Sequence, residues 1–314
     1  MANISICSAV GANTYGVDCD VERGIPVQLL FGSASFAPAD YADQDTLEAA
    51  ILAAIRQASG TSSKLFPMPV IQGTTDKTVA AKFGTLGYGL EIKLLRSKQG
   101  YEFDVLAGTD LEKRLIALDN KTLPALILDD ASNIWGIKDS SDNFKGAKYR
   151  VGVEPRGFGD AQNPKTTKIT ISLVDSRDFV ENSVFATTSF NASDLVGLLD
   201  VETYSAAAHS SNVFHIGVKA TTNQLGKVIN LHDYYASELA VVGAWAVTVA
   251  GVAKTLTSVA DDTTNGGWTI TVDSTEYAAI SSGAVIKFAL VAPPALAALD
   301  VTNLENTKVY SFTK

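Results

Sequence analysis

Residues 124–175 contain four short runs, PALILDD, NIWGIKD, AKYRVGVEP and TKITISLVD, separated by clusters of Asp, Asn, Ser and Gly. Runs this short cannot hold the three turns of an average helix, and they are rich in Ile, Val and Tyr. The clusters between them are turn chemistry, because Asp, Asn and Ser close turns by bonding their own backbone. Strand, turn, strand in this rhythm predicts an antiparallel sandwich or barrel rather than alternating β-α units. LGYGLEIKLLRS and GYEFDVLAG flank Lys98 and Gln99 and read as a further hairpin.

Helices are few. DQDTLEAAILAAIRQASG (43–60) puts Leu47, Ile51, Ile55 and Ala58 on one face, with Leu52 and Ala54 beside it. Asp45 followed by Glu48 resembles a capping box, and Gly60 supplies a stop. A shorter candidate spans 108–122, with Leu111, Leu115 and Leu118 on one face, and a third lies in 229–242, beginning near Asp233. From about residue 239 the pattern is again β, with Val247 and Val249 on one strand and Trp268, Ile270 and Val272 on another. DDTTNGG is the turn before the second of these. The spacing divides the chain into residues 1–238, a β domain with an N-terminal arm and the helix 43–60, and residues 239–314, a small all-β module resembling an immunoglobulin-like sandwich.

Chemistry-bearing motifs are sparse. The segment DDASNIWGIKDSSDN (129–143) is rich in carboxylates, but it lacks the fixed glycine and closing glutamate of an EF-hand loop, so turns are the expectation. His209, His215 and His232 lack metal-ligand spacing, and Cys7 and Cys19 match no zinc or redox motif. There is no G-x-S-x-G elbow, Walker A loop or G-x-G-x-x-G. No enzyme, cofactor or metal is therefore expected, and Trp135, Trp245 and Trp268 read as core. The formal charge is −9, and residues 178–314 carry six basic against thirteen acidic side chains. Without a basic stripe, tight nucleic-acid binding is not expected. No apolar run reaches membrane-spanning length. No basic, then apolar, leader opens the chain, so a cytoplasmic site of synthesis is expected.

The order VAAKFGTLGYGLEIKL, GYEFDV, DLEKRLIALDN, LILDDASNIWGIKDSSDNFKGAKYRVGVEP, VFHIGVK and INLHDYYASEL resembles structural virion proteins of tailed phages of Bacteroidetes-type hosts, in particular the major tail tube protein. Its most specific part is D-x-x-x-x-I-W-G followed by F-K-G and a strand. The resemblance implies a subunit that assembles in the host cytoplasm into rings and stacked rings. It would contact other tail proteins and pass DNA as a transient, non-sticking passenger, with no membrane involved. It also implies that the core-poor segments 1–42 and 61–77 are arms folded onto neighbours. A DNA conduit calls for a neutral or acidic wall, and Glu91, Glu102 and Asp104 are the candidates for lumen-facing positions. Alternation puts Glu102 and Asp104 opposite Tyr101, Phe103 and Val105. Alternative roles with the same parts are a neck, other head–tail or capsid decoration protein, or a glycan-binding surface protein.

Overall fold

The computed structural model describes residues 24–32, 35–85, 91–95, 97–156, 165–221 and 228–314. Cys7, Cys19 and the first 23 residues of the expected arm lie outside them. The fold is mainly β and antiparallel, with short packed helices, and among the described residues none of its sheets closes into a barrel. The chain forms two compact units, one running to Ile55 and from Gly60 to Val196, the other comprising Arg56–Ser59 and Gly197–Lys314.

The first unit opens with β1 (Pro26–Gly32), α1 (Gln44–Ile55), β2 (Leu65–Pro67), β3 (Ile71–Asp76), β4 (Lys82–Thr85), β5 (Glu91–Leu95) and β6 (Gly100–Val105). It continues with α2 (Thr109–Ile116), β7 (Thr122–Asp129), β8 (Asn133–Lys138), β9 (Phe144–Lys145), β10 (Ala147–Glu154), β11 (Thr167–Leu173), α3 (Ser176–Asn182) and β12 (Ser183–Thr187). A ten-stranded sheet runs β12-β8-β7-β10-β11-β6-β3, with β1 added to β7, β2 to β1 and β9 to β8. Ala125 to Leu128 are buried without alternation because both sheet faces are covered there. On one face Leu126 and Leu128 meet Leu47, Ile51 and Ile55 of α1. On the other, Ala125 and Ile127 join Phe103, Tyr149, Ile169 and Ile171, with Leu111 and Leu115 of α2 and Phe179 of α3.

Two expectations are corrected here. Residues 26–32 and 65–68 are not free arms: Leu29, Leu30, Phe31, Leu65 and Met68 are buried, because β1 pairs with β7 along its length. The first helix ends at Ile55, short of Gly60, and its first-turn N–H of Thr46 bonds the carboxylate of Asp43 rather than Asp45.

The carboxylate-rich segment is the same turn used twice. Asp129 Oδ1 accepts from the N–H of Ala131 and of Asn133, at 3.0 and 2.8 Å. Asp139 Oδ1 accepts from Ser141 and Asn143, at 2.9 and 3.0 Å. In each, the residue before the asparagine takes a positive φ, 61° at both Ser132 and Asp142. Asp129 is buried and also accepts the Trp135 indole N–H at 2.7 Å. The oxygens that a cation would need are occupied by N–H donors. The glycines of I-W-G and F-K-G have a packing reason: a Cβ on Gly136 would lie 2.6 Å from Lys145 O, and one on Gly146 2.8 Å from Ala125 N.

The second unit begins with β13 (Leu199–Ser205), β14 (Val213–Thr221), β15 (Val228–Asn230), α4 (His232–Tyr235), β16 (Trp245–Val249), β17 (Val252–Ala253) and β18 (Leu256–Asp262). It ends with β19 (Gly267–Val272), α5 (Ser274–Ala279), β20 (Val285–Leu290), α6 (Pro293–Ala297), β21 (Leu304–Lys308) and β22 (Tyr310–Thr313). One sheet runs β18-β19-β14-β13-β21, with β15 on β14, and the other β17-β16-β20-β22. They enclose one core containing Trp245, Trp268, Phe214, Phe288 and Ile286. The expected boundary at 238/239 therefore cuts a domain. β14 pairs with β19 from Val213↔Thr271 to Ile216↔Trp268, and β13 pairs with β21 in parallel. The third helix candidate shrinks to the single turn of α4.

Two outcomes test this description. Residues 197–314 expressed alone should give dispersed amide NMR signals and a cooperative melt, whereas 239–314, stripped of the three sheet strands β13, β14 and β15, should not fold. Asp129→Ala removes the acceptor for three backbone or side-chain N–H groups and the indole, and should lower stability by about 2–4 kcal/mol in urea titrations.

Candidate functional site

The segment expected to turn at Lys98–Gln99 does not turn there. β5 pairs with β4, from Thr85↔Glu91 to Lys82↔Leu95, while β6 pairs with β11 on one edge and β3 on the other. Both edges of β6 are taken, with Ile169 of β11 opposite Phe103 and Ile71 of β3 opposite Val105, so no edge remains for β5. Lys77 N–H donates to Gly100 O, and Val79 and Lys98 exchange N–H···O bonds at 2.8 and 2.9 Å. Residues 71–85 thus run antiparallel to residues 91–95 and 97–105 as one long ribbon, rooted in the sheet through β3 and β6. Beyond Asp76 no third strand joins it among the described residues: β4 and β5 form a two-stranded sheet of their own.

The nine residue steps from Asp76 to Thr85 would span roughly 30 Å if fully extended. Such a ribbon has little core of its own. Val79 and Phe83 are 54 % and 60 % exposed. Two-stranded hairpins are marginal in water without a third strand or a packed face. The ribbon's charge also differs from that of the chain. Residues 77–98 hold Lys77, Lys82, Lys93, Arg96 and Lys98 against Glu91 alone, a net +4 within a chain of −9.

Of the three lumen candidates, Glu91 belongs to β5 of this ribbon, opposite Thr85. Glu102 and Asp104 lie together on β6, with Phe103 and Val105 fully buried on the opposite face, as alternation requires. Tyr101 is partly buried and stacks on Phe103, with ring centroids 6.1 Å apart. The face carrying the two carboxylates is not acidic, however. Glu102 bonds Lys168 Nζ at 2.6 Å and Lys77 Nζ at 3.1 Å. Hydrogen bonds from Lys168 and then Lys77 hold its carboxyl below the usual range. Asp104 accepts from Thr166 Oγ1 at 2.7 Å. The register adds exposed Lys148 and Arg150 of β10 to the same face. The sequence offered no signal for Lys77 or Lys168, since their partnership with Glu102 depends on which strands flank β6.

The histidines are tied to carboxylates or rings. His215 Nδ1 lies 2.5 Å from Asp262 Oδ2, and His232 Nε2 lies 2.5 Å from Asp261 Oδ1. His209 stacks on Phe214 with centroids 5.4 Å apart. The three tryptophans are buried, which removes them as a binding platform. No protein-family profile and no curated protein matches the chain.

Glu102 carries a pH-dependent share of stability. Because its folded pKa is lowered, the contribution is present above the ordinary carboxylate pKa of about 4.3 and lost as pH falls through the lower folded value. Glu102→Gln should therefore cost about 1 kcal/mol at pH 7, with the difference from wild type closing below about pH 4 in urea titrations.

Proposed function

We propose that this chain is a non-enzymatic structural subunit of a tailed-phage virion that assembles with copies of itself into stacked rings, a tail tube that conducts DNA. The observation that carries this reading is the ribbon formed by residues 71–85 with 91–95 and 97–105. An extended two-stranded arm with exposed Val79 and Phe83 gains stability by lying against another surface. The +4 charge of its residues 77–98 favours the acidic remainder of a second copy. Among the described residues the β12 and β3 margins of the large sheet are unpaired edges of the kind that ring closure removes.

For the conduit, Glu102 and Asp104 remain the candidates for the bore. The face they occupy is close to neutral, because Lys77, Lys168, Lys148 and Arg150 offset Glu102, Asp104 and Glu154. A near-neutral wall gives phosphates little counterion release to hold them.

Electron microscopy of the purified chain tests the reading, with rings or tubes as the expected result. Replacing residues 79–98 by a two-residue Asn-Gly turn should leave a folded monomer, with its far-UV circular dichroism retained, that no longer assembles. A full-length chain that stays monomeric at high concentration, or a deletion that assembles normally, overturns it.

A further inference from the structure

The outer strands of the large sheet are not equally guarded. On β2 the bond from Met68 N–H to Leu29 O turns the nitrogen of Pro67 outward, so that side lacks a donor. β3 is bent by an irregularity between Ile71 and Gly73 and ends on the exposed Asp76. β12 has none of these protections. Residues 182–193 hold no charged side chain and no proline, and β12 pairs with β8 without a register shift from Ser183↔Ile137 to Thr187↔Asn133. An edge of that kind is a template for another strand.

The phase of the ladder fixes which backbone groups of β12 point outward. Thr188 N–H donates to Ser132 O at 2.9 Å, and hydrogen-bonded pairs alternate along an antiparallel ladder. Ala186↔Ile134 and Val184↔Gly136 are therefore the next hydrogen-bonded pairs. The N–H and C=O groups of Ser183, Phe185 and Thr187 face away from β8, and among the described residues none of them has a partner. Phe185 is partly exposed and lies on Trp135, with ring centroids 5.0 Å apart. Val184 and Ala186 point to the opposite face, where they pack on the core that α1 covers.

We infer that this edge takes β12 of a second copy, antiparallel, about a two-fold axis through Phe185. The outward residues are self-complementary in that register: Phe185 meets its own image, and Ser183 meets Thr187 of the second copy. Each hydrogen-bonded pair exchanges two N–H···O bonds, so the outward groups of both strands are all satisfied. The axis stands perpendicular to the sheet. The two Phe185 rings therefore meet on one face, and Val184 meets Ala186 of the second copy on the other. No like charges face each other across the pair. Strands this short bury less than the roughly 1,200 Å² of a standard interface, which makes the dimer weak and reversible. The inference does not rest on the assembly reading; under that reading the dimer occupies an edge that ring closure needs and competes with the ring.

Sedimentation velocity of the full chain from about 5 to about 500 µM should show a species of twice the subunit mass, distinct from any ring, with a Kd of about 100 µM or tighter. The amides of Ser183, Phe185 and Thr187 should exchange with deuterium more slowly as concentration rises. Two double variants, each checked for retained far-UV circular dichroism, test the register. Ser183→Lys with Thr187→Lys sets lysines opposite lysines and should weaken the dimer about tenfold or more. Ser183→Lys with Thr187→Glu sets each lysine opposite a glutamate and should stay within about threefold of wild type. The inference is overturned if the wild-type chain forms no dimer, if the lysine pair leaves dimerisation unchanged, or if both variants lose it alike. Rings without dimers count against this inference alone, and dimers without rings against the tail-tube reading alone.

Discussion

Four consecutive residues of β7, Ala125 to Leu128, bury both faces of one strand, and the first unit is organised around that constraint. A strand with one wet face alternates, whereas one covered on both sides reads as an unbroken apolar run. Leu126 and Leu128 need a cover, and α1 supplies it with Leu47, Ile51 and Ile55. Ala125 and Ile127 need another, which comes from the sheet's own far strands together with α2 and α3. Each fully buried aliphatic side chain contributes roughly 1.5–3 kcal/mol, so this double layer outweighs any local preference in the unit. It also explains why β1 sits beside β7 rather than reaching out to a neighbour.

The turns flanking this strand are built to the same standard. A buried carboxylate is costly unless its lone pairs are filled, and Asp129 fills them with the N–H groups of its own turn and the indole of Trp135. The left-handed residue before each asparagine lets the chain reverse within five residues. Asp139 repeats the arrangement at the surface, where hydrogen bonds from Asn143 and Ser141 hold its carboxyl below the usual range. A stretch with the composition of a cation site is thus consumed by backbone donors. The glycines that follow serve close backbone approach, Gly136 of β8 to Lys145 of β9 and Gly146 to Ala125 of β7, where no Cβ fits.

The ribbon stands against this economy. Everywhere else in the first unit, strands share a covered face, but beyond Asp76 two strands continue with exposed Val79 and Phe83 and a local excess of cations. The second unit solves its packing separately, closing two sheets over Trp245 and Trp268 and leaving Tyr204 on the outside over Gly217.

The sequence by itself determined the class of fold, the α1 face, the strands β7, β8, β10 and β11, the Asp turns and the buried tryptophans. All of these rest on local signals: period-two or period-3.6 patterning and side chains that bond their own backbone. It could not determine partners. The hairpin at Lys98–Gln99 failed because two adjacent apolar segments look like partners whether or not other strands claim the edges of β6. The boundary at 238 failed for the same reason, since β14 finds β19 some fifty residues later and β13 finds β21 about a hundred residues away. Glu102 and Asp104 were legible as neighbours on one face, but the lysines that neutralise that face come from other strands. Tyr204 carried no signal at all until tertiary pairing set a glycine beneath it. Only the tertiary structure decided these points, because strand pairing is fixed by the burial of whole sheets rather than by anything within a strand.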